Sequence, residues 1–450
     1  MKQNKAKIIK KSIFSIIVVL LCLYIGVCFV TYKVPADAWL NHSPGTNGTS
    51  ADGSSADGSS ALIPPGIEQK LLRTELLRLP EIAPADDSDI TISPPAVNAK
   101  HAMVMDYETG RVLYAKNADQ TTAMASTTKI MTALIVLERC NLQDEVIVSR
   151  AAALIEGSTM YLAEGEHITV LDLLYGLLLN SGNDAAVALA EYTAGSVESF
   201  CTLMNQRAKE LGADHTNFTS PHGLDHPEHF TTAYDLALIA KKAYENELFR
   251  KIVNTREIHA NGHYLNNTNP LLGVLQGVDG MKTGFTNNAG RCIVLTAQRS
   301  GIRIIVVLLG CETAKTRIQD GKALIEYALS EYAAYDILPR GYVVEDLYVT
   351  KGRSYHMNAV LETAVRLTLT KAELAKLQAY YIRGDGIDLT GRIPAIQSPV
   401  KKDQVIGQFT IQCGEETLYC GNIVAGSTVL RKTYTDFLSD IFRKWPYTLY

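Results

Sequence analysis

The 450-residue sequence is short of the features that mark several common protein classes. It has no CxxC pair and no cysteine–histidine cluster with zinc-site spacing, which excludes a structural zinc module. It has no excess of positive charge. The formal net charge is −4, and the first 33 residues hold six lysines and no acid, so the remainder carries −10. An acidic body argues against nucleic acid as a partner. Hydrophobic residues make up 47% and charged residues 20%, a globular composition rather than a disordered one. The eight cysteines are scattered. Cys22 and Cys28 lie in an apolar N-terminal run, and neither follows a small residue as lipoprotein processing requires. Cys140, Cys201, Cys292, Cys311, Cys413 and Cys420 read as buried free thiols. Cys413 and Cys420 flank Gly414-Glu415-Glu416, which leaves a disulfide between them open. No metal or organic cofactor is implied.

What is present begins with an export signal. Five lysines precede Ser12 to Tyr32, 21 residues without a charge. At about 1.5 Å per residue, such a run can cross a bilayer core of roughly 30 Å. Residues 1–33 are therefore read as a cytoplasmic basic tail and uncleaved signal anchor, which places the rest of the chain outside the cytoplasm at the cell membrane. The alternative is secretion after cleavage at Ala36-Asp37-Ala38, a site made poor by Lys33 and Pro35. Residues 34–96 read as a flexible Gly/Ser/Asp-rich tether, in which Ser50-Ala51-Asp52-Gly53-Ser54 is repeated at once by residues 55–59. Within it a short helix is expected around Gln69 to Leu79.

From residue 97 to 338 the pattern is that of an α+β domain built on one antiparallel sheet. Strands are expected at 102–105, 112–114, 292–297 and 302–309, and helices at 126–134, 170–179, 183–193, 197–211 and 232–245. Residues 339–430 show short strands with turn signals and read as a small all-β domain. In residues 431–450, Tyr434, Phe437, Leu438, Ile441, Phe442 and Trp445 fall on one helical stripe flanked by Arg431, Lys432, Arg443 and Lys444. This amphipathic helix either packs on its own domain or lies on the membrane surface; Trp445 and the basic flanks favour the membrane.

Three short elements carry chemistry. In Ser126-Thr127-Thr128-Lys129, helical spacing lets Lys129 reach the Ser126 hydroxyl, and a neutral lysine can take its proton. Ser181-Gly182-Asn183 offers a hydroxyl and an amide for proton relay and carbonyl binding. Lys282-Thr283-Gly284, followed by Phe285, offers a cation and a hydroxyl to a substrate carboxylate, and a glycine that permits close backbone approach. Each alone is unspecific. His222 and Asp225 are read as structural, holding a loop near the site.

Together, in this order and separated by 55 and 101 residues, the three elements resemble the penicilloyl serine transferases, which include penicillin-binding proteins and class A β-lactamases. The closer resemblance, over roughly Ala99 to Ala425, is to the low-molecular-mass D,D-carboxypeptidases. It rests also on Ala125 to Leu134, His222-Gly223-Leu224-Asp225, Ala233-Tyr234-Asp235-Leu236, Val278-Asp279-Gly280 and the segment 399–407. The resemblance implies a penicillin-binding-protein/β-lactamase-like transpeptidase domain followed by the β domain. It also implies a serine D-alanyl-D-alanine carboxypeptidase that acts on peptidoglycan stem peptides ending in D-Ala-D-Ala and is acylated by β-lactams. In that scheme Ser126 is the nucleophile, Lys129 the base, and Ser181 and Asn183 support proton transfer. Lys282, Thr283 and Gly284 bind substrate, and the backbone amides of Ser126 and Phe285 form the oxyanion hole. Alignment onward from Lys282 implies that Arg317 binds the terminal carboxylate. A D,D-endopeptidase, a β-lactamase and an inactive peptidoglycan-binding module are the rivals. No E-x-x-L-N segment lies between Ser181 and Lys282, which disfavours the lactamase.

Overall fold

The computed structural model describes residues 74–80, 82, 93–384, 387–388 and 394–444. All of them lie in the compact unit Pro64–Tyr450. The basic tail, the apolar N-terminal run, the Ser-Ala-Asp-Gly-Ser repeat and Trp445 fall outside the described residues.

In chain order the strands begin with β1 (Thr74–Leu77) and the hairpin β2 (His101–Asp106) and β3 (Val112–Lys116). Two minor hairpins follow, β4 (Glu145–Ile147) with β5 (His167–Thr169), and β6 (Glu257–Ala260) with β7 (His263–Asn266). Then come three long strands, β8 (Val278–Thr286), β9 (Gly290–Arg299) and β10 (Ile302–Cys311). The central antiparallel sheet has the order β3-β2-β10-β9-β8. Strand β10 explains its position by composition. Ile304, Val306 and Leu308 enter one core cluster and Ile305, Val307 and Leu309 another, so both faces are covered and the strand reads as a continuous apolar run.

The helices on one face are α1 (Lys129–Arg139), α2 (Val170–Leu178), α3 (Asn183–Ala194), α4 (Val197–Glu210), α5 (Ala233–Tyr244) and α6 (Glu247–Val253). The other face carries α7 (Ala314–Glu331), whose Leu324, Ile325 and Ala328 join the cluster of Ile304, Val306 and Leu308. Starts are set by side-chain caps. Thr169, Ser196, Thr232, Asn246 and Thr313 each accept the amide hydrogen three residues on, satisfying a donor the helix cannot. Helices α1 and α3 have no such side-chain cap, and both begin at the candidate site.

The second domain is built from β11 (Ala333–Leu338), β12 (Val343–Thr350), β13 (His356–Leu361), β14 (Val365–Leu369), β15 (Leu377–Arg383), β16 (Ile387–Asp388), β17 (Ala395–Gln397), β18 (Val405–Cys413) and β19 (Glu416–Ala425). Eight strands form one sheet in the order β1-β15-β18-β19-β13-β12-β17-β16. Strand β11 pairs with β14 and its Tyr335, Ile337 and Leu338 enter the β-domain core, so this domain starts at about Ala333 rather than after Leu338. Arg111, between β2 and β3, joins the two domains. It donates to the Thr368 carbonyl, to Glu373 at 2.5 and 3.1 Å, and to Glu416. Helix α8 (Tyr434–Lys444) closes the described chain.

Two expectations change. The helix looked for around Gln69 to Leu79 is, at Thr74–Leu77, an antiparallel edge strand on β15, with Thr74 opposite Ile382 and Leu77 opposite Ala379. Local propensity favoured a helix, but Leu77 buries in the β-domain core and Glu75 meets Arg383, so tertiary contacts decide. The Cys413–Cys420 disulfide is absent. The register sets Glu416 opposite Cys413 and Thr410 opposite Cys420, so the thiols sit on different rungs, and both are free.

Candidate active site

The site is assembled where α1 and α3 begin against the edge strand β8. A 3-10 turn, Ala125–Thr128, leads into α1 and carries Ser126. Ala125 sits at φ +50°, a region that side chains rarely adopt. The turn is held from below. Thr128 Oγ1 donates to the Ala125 carbonyl at 2.9 Å, and Thr132 Oγ1 donates to the Pro221 carbonyl at 2.6 Å. Gly223, at φ +87°, lies so close that a Cβ there would stand 2.0 Å from the Ala125 oxygen.

Lys129 is wholly buried. Its Nζ lies 2.9 Å from Ser126 Oγ, 2.7 Å from Asn183 Oδ1 and 2.8 Å from the His222 carbonyl. The last two can only accept. The Asn183 orientation is fixed because its Nδ2 donates to the Glu156 carbonyl at 2.6 Å. A neutral amine has two hydrogens and one lone pair. With both hydrogens committed to Asn183 and His222, the lone pair faces the Ser126 hydroxyl. Burial, and then the nearby Lys282 ammonium, push Lys129 well below the usual lysine range, which favours that neutral form.

Lys282 is also buried and donates to the Thr283 carbonyl at 3.0 Å. Burial and Arg317 lower it to about 7. Thr283 Oγ1 lies 2.6 Å from Thr268 Oγ1. A Cβ on Gly284 would come within 2.9 Å of the Ser126 amide nitrogen, so only glycine lets β8 pass the nucleophile turn at this distance. That approach brings the backbone before Phe285 against the Ser126 amide, as an oxyanion hole would need. Phe285 is half-exposed, with the Arg291 guanidinium 3.8 Å above its ring.

Arg317 lies in the first turn of α7, which the sequence did not single out as a helix. It is buried, reaches the Cys292 carbonyl at 3.4 Å and leaves its Nε without a partner. Burial and Arg291 hold it below the usual arginine value. A buried guanidinium short of partners suits an arriving carboxylate. Ser181 is buried at φ +62° just ahead of α3. Hydrogen bonds thus join Ser126, Lys129 and Asn183, whereas the Ser181 hydroxyl and Lys282 ammonium make none to those three.

Supporting residues outside the three motifs complete the site. Asp225 accepts from Thr286 Oγ1 at 2.5 Å and from the Asn288 amide, tying the 220–229 loop to β8. His229 is buried. Its Nδ1 accepts the Thr219 amide hydrogen at 3.0 Å, so Nε2 carries the proton and donates to Thr128 Oγ1 at 2.7 Å. Burial and His226 depress His229 to about 4; burial and Lys129 depress His222 to about 3. The buried Asp184, next to Asn183, accepts the Met160 and Leu162 amides. Nothing in the sequence marked His229, whose tie to the site runs to Thr128 at the end of the distant 3-10 turn. Asp184 could have been found as the acid adjoining Ser181-Gly182-Asn183. Among the described residues no group of three or more His, Cys, Asp or Glu side chains could hold a metal ion.

A buried lysine on a serine hydroxyl, at the edge of a five-stranded sheet with helices on both faces, defines a serine acyl-transfer enzyme. The comparisons narrow that class. The D-alanyl-D-alanine carboxypeptidase family matches residues 88–313, and the C-terminal domain of penicillin-binding protein 5 matches residues 332–431. D-alanyl-D-alanine carboxypeptidase DacF of Bacillus subtilis is 32% identical over 78% of this chain and 90% of its own length. DacC of Escherichia coli is 34% identical over 79% and 91%. The solved penicillin-binding protein 5 of Haemophilus influenzae superposes with a TM-score of 0.66 at 30% identity, over 76% of this chain and all of its own. The chain belongs to the D-alanyl-D-alanine carboxypeptidase family.

Proposed function

We propose that this serine-type carboxypeptidase removes the terminal D-alanine from peptidoglycan pentapeptide stems through an acyl-enzyme on Ser126. The neutral Lys129 amine takes the hydroxyl proton as Ser126 Oγ attacks the carbonyl carbon between the two D-alanines. The amides of Ser126 and Phe285 stabilise the oxyanion. The C–N bond then breaks, the departing nitrogen takes a proton, and free D-alanine leaves. Water attacks the remaining ester, restoring Ser126 and releasing the tetrapeptide. Lys282, Thr283 and Arg317 hold the terminal carboxylate, while Asn183 keeps Lys129 aimed; Ser181 relays protons. The observation that carries this reading is the Lys129 amine, whose two other hydrogen bonds go to acceptor-only oxygens. Ser126→Ala is expected to abolish both D-alanine release from a Lys-D-Ala-D-Ala peptide and penicillin adduct formation; a variant that still labels would refute the assignment. Lys129→Met should slow acylation about a thousandfold.

The same reading holds the enzyme outside the cytoplasm by the anchor over residues 1–33, with α8 as a second, surface contact. It is supported by the uncharged N-terminal run and by the exposed side chains of Tyr434, Phe437, Ile441 and Phe442.

A further inference from the structure

Tyr161 is an unexplained residue on a loop tied to this site through Asn183 and Asp184. It is 84% exposed, a large aromatic side chain with almost no packing of its own. Its backbone sits at φ +68°, where a bulky residue is an outlier that the surroundings must enforce. The enforcement is visible. Met160 and Leu162 on either side are buried, and both of their amides donate to the Asp184 carboxylate at 3.0 to 3.1 Å. The same loop is tied to the site by Asn183, whose Nδ2 and backbone amide donate to the carbonyls of Glu156 and Ser158 at 2.6 and 2.7 Å. Gly157, at φ +94°, makes room, since a Cβ there would lie 2.7 Å from Asn183 Nδ2. Asn183 in turn bonds Lys129. A rigid loop thus presents one outward ring, and its mounting is shared with the groups around the nucleophile.

The cations that suit the terminal carboxylate, Lys282 and Arg317, belong to the β8 and α7 side of Ser126. The acyl part of a peptide must lie away from them, toward the wall that Asn183 braces. We propose that Tyr161 is a specificity-determining residue that contacts the side chain preceding the first D-alanine of the stem peptide, its ring covering the aliphatic portion of that residue. A preorganised tyrosine is suited to this, because it offers broad contact area at little entropic cost. The inference rests on Ser126 being the nucleophile of the proposed reaction.

The test compares kcat/KM for D-alanine release from diacetyl-Lys-D-Ala-D-Ala and from acetyl-D-Ala-D-Ala, which lacks the contacted side chain. Wild type, Tyr161→Phe and Tyr161→Ala are measured, together with their penicillin acylation rates. Tyr161→Ala is expected to lose about tenfold on the longer peptide and less than about twofold on the shorter one, with penicillin acylation unchanged and Tyr161→Phe behaving as wild type. Equal losses on both peptides, no loss on either, or a wild type that does not distinguish them would overturn the inference alone. A wild type that labels with penicillin yet releases D-alanine from neither peptide would count against the proposed reaction as well.

Discussion

Two buried lysines at one site oppose each other's charge. Lys129 is depressed by burial and then by Lys282, so replacing Lys282 by glutamine removes a cation from its surroundings. Lys129 must be neutral to accept the Ser126 proton, so acylation should fall as pH drops through its pKa. In Lys282→Gln that acidic limb is expected to move to higher pH, whatever happens to the maximal rate; the pH profile of penicillin acylation checks it. A second pH effect concerns stability. His222 and His229 have folded pKa values of about 3 and 4, against 6.5 for the free side chain. The unfolded chain therefore binds more protons below pH 6.5, and stability present above that value is lost as pH falls toward 4. Each histidine contributes a slope of at most about 1.4 kcal/mol per pH unit. Denaturation midpoints between pH 6.5 and 4 should show this fall, and His229→Gln should flatten it. At this scale the motifs were legible because their chemistry needs fixed residue types at short spacing. Gly223 was visible only as part of a family-like stretch and His229 not at all, because their importance lies in contacts with Ala125 and Thr128 about a hundred residues away.

Strong periodicity made most elements readable. Strands β9 and β10 and helices α2 to α5 lie within a few residues of the apolar runs and helical stretches expected at 292–297, 302–309, 170–179, 183–193, 197–211 and 232–245. Helix α7 was missed even though Thr313 and Thr316 form a reciprocal cap, since neither is the usual acidic partner. Strand β1 was misread for a different reason. Four residues, Thr74 to Leu77, hold too little pattern to separate strand from helix, and their partner β15 comes some three hundred residues later. Its contribution is measurable. Leu77→Ala should cost about 2 kcal/mol through lost burial. Calorimetry should show that loss in the transition of the β domain, while penicillin acylation of Ser126 stays unchanged. A loss confined to the transition of the catalytic domain would contradict the pairing.

For the whole molecule, the change of pattern after residue 338 predicted two domains, and the sheet pairings place the border near residue 333. Helix α8 is fastened by its polar side. Asp436 meets Arg353 at 3.0 Å, and Asp440 meets Lys432 at 2.5 Å and Tyr355 at 3.1 Å. Its apolar residues at 434, 437, 441 and 442 face outward. Removing residues 431–450 from a chain that also lacks residues 1–63 should abolish co-sedimentation with anionic phospholipid vesicles while leaving D-alanine release intact; retained sedimentation would place the membrane contact elsewhere. The edge strand β1 has a mechanical consequence. The chain runs from β1 on the last domain back to residue 97 before the catalytic sheet begins, and Glu75 is clasped there by Arg383 and Tyr381. Tension applied ahead of Thr74 would therefore load the β1–β15 ladder in shear, and the far domain would carry the force while the strand edge beside Ser126 stays slack.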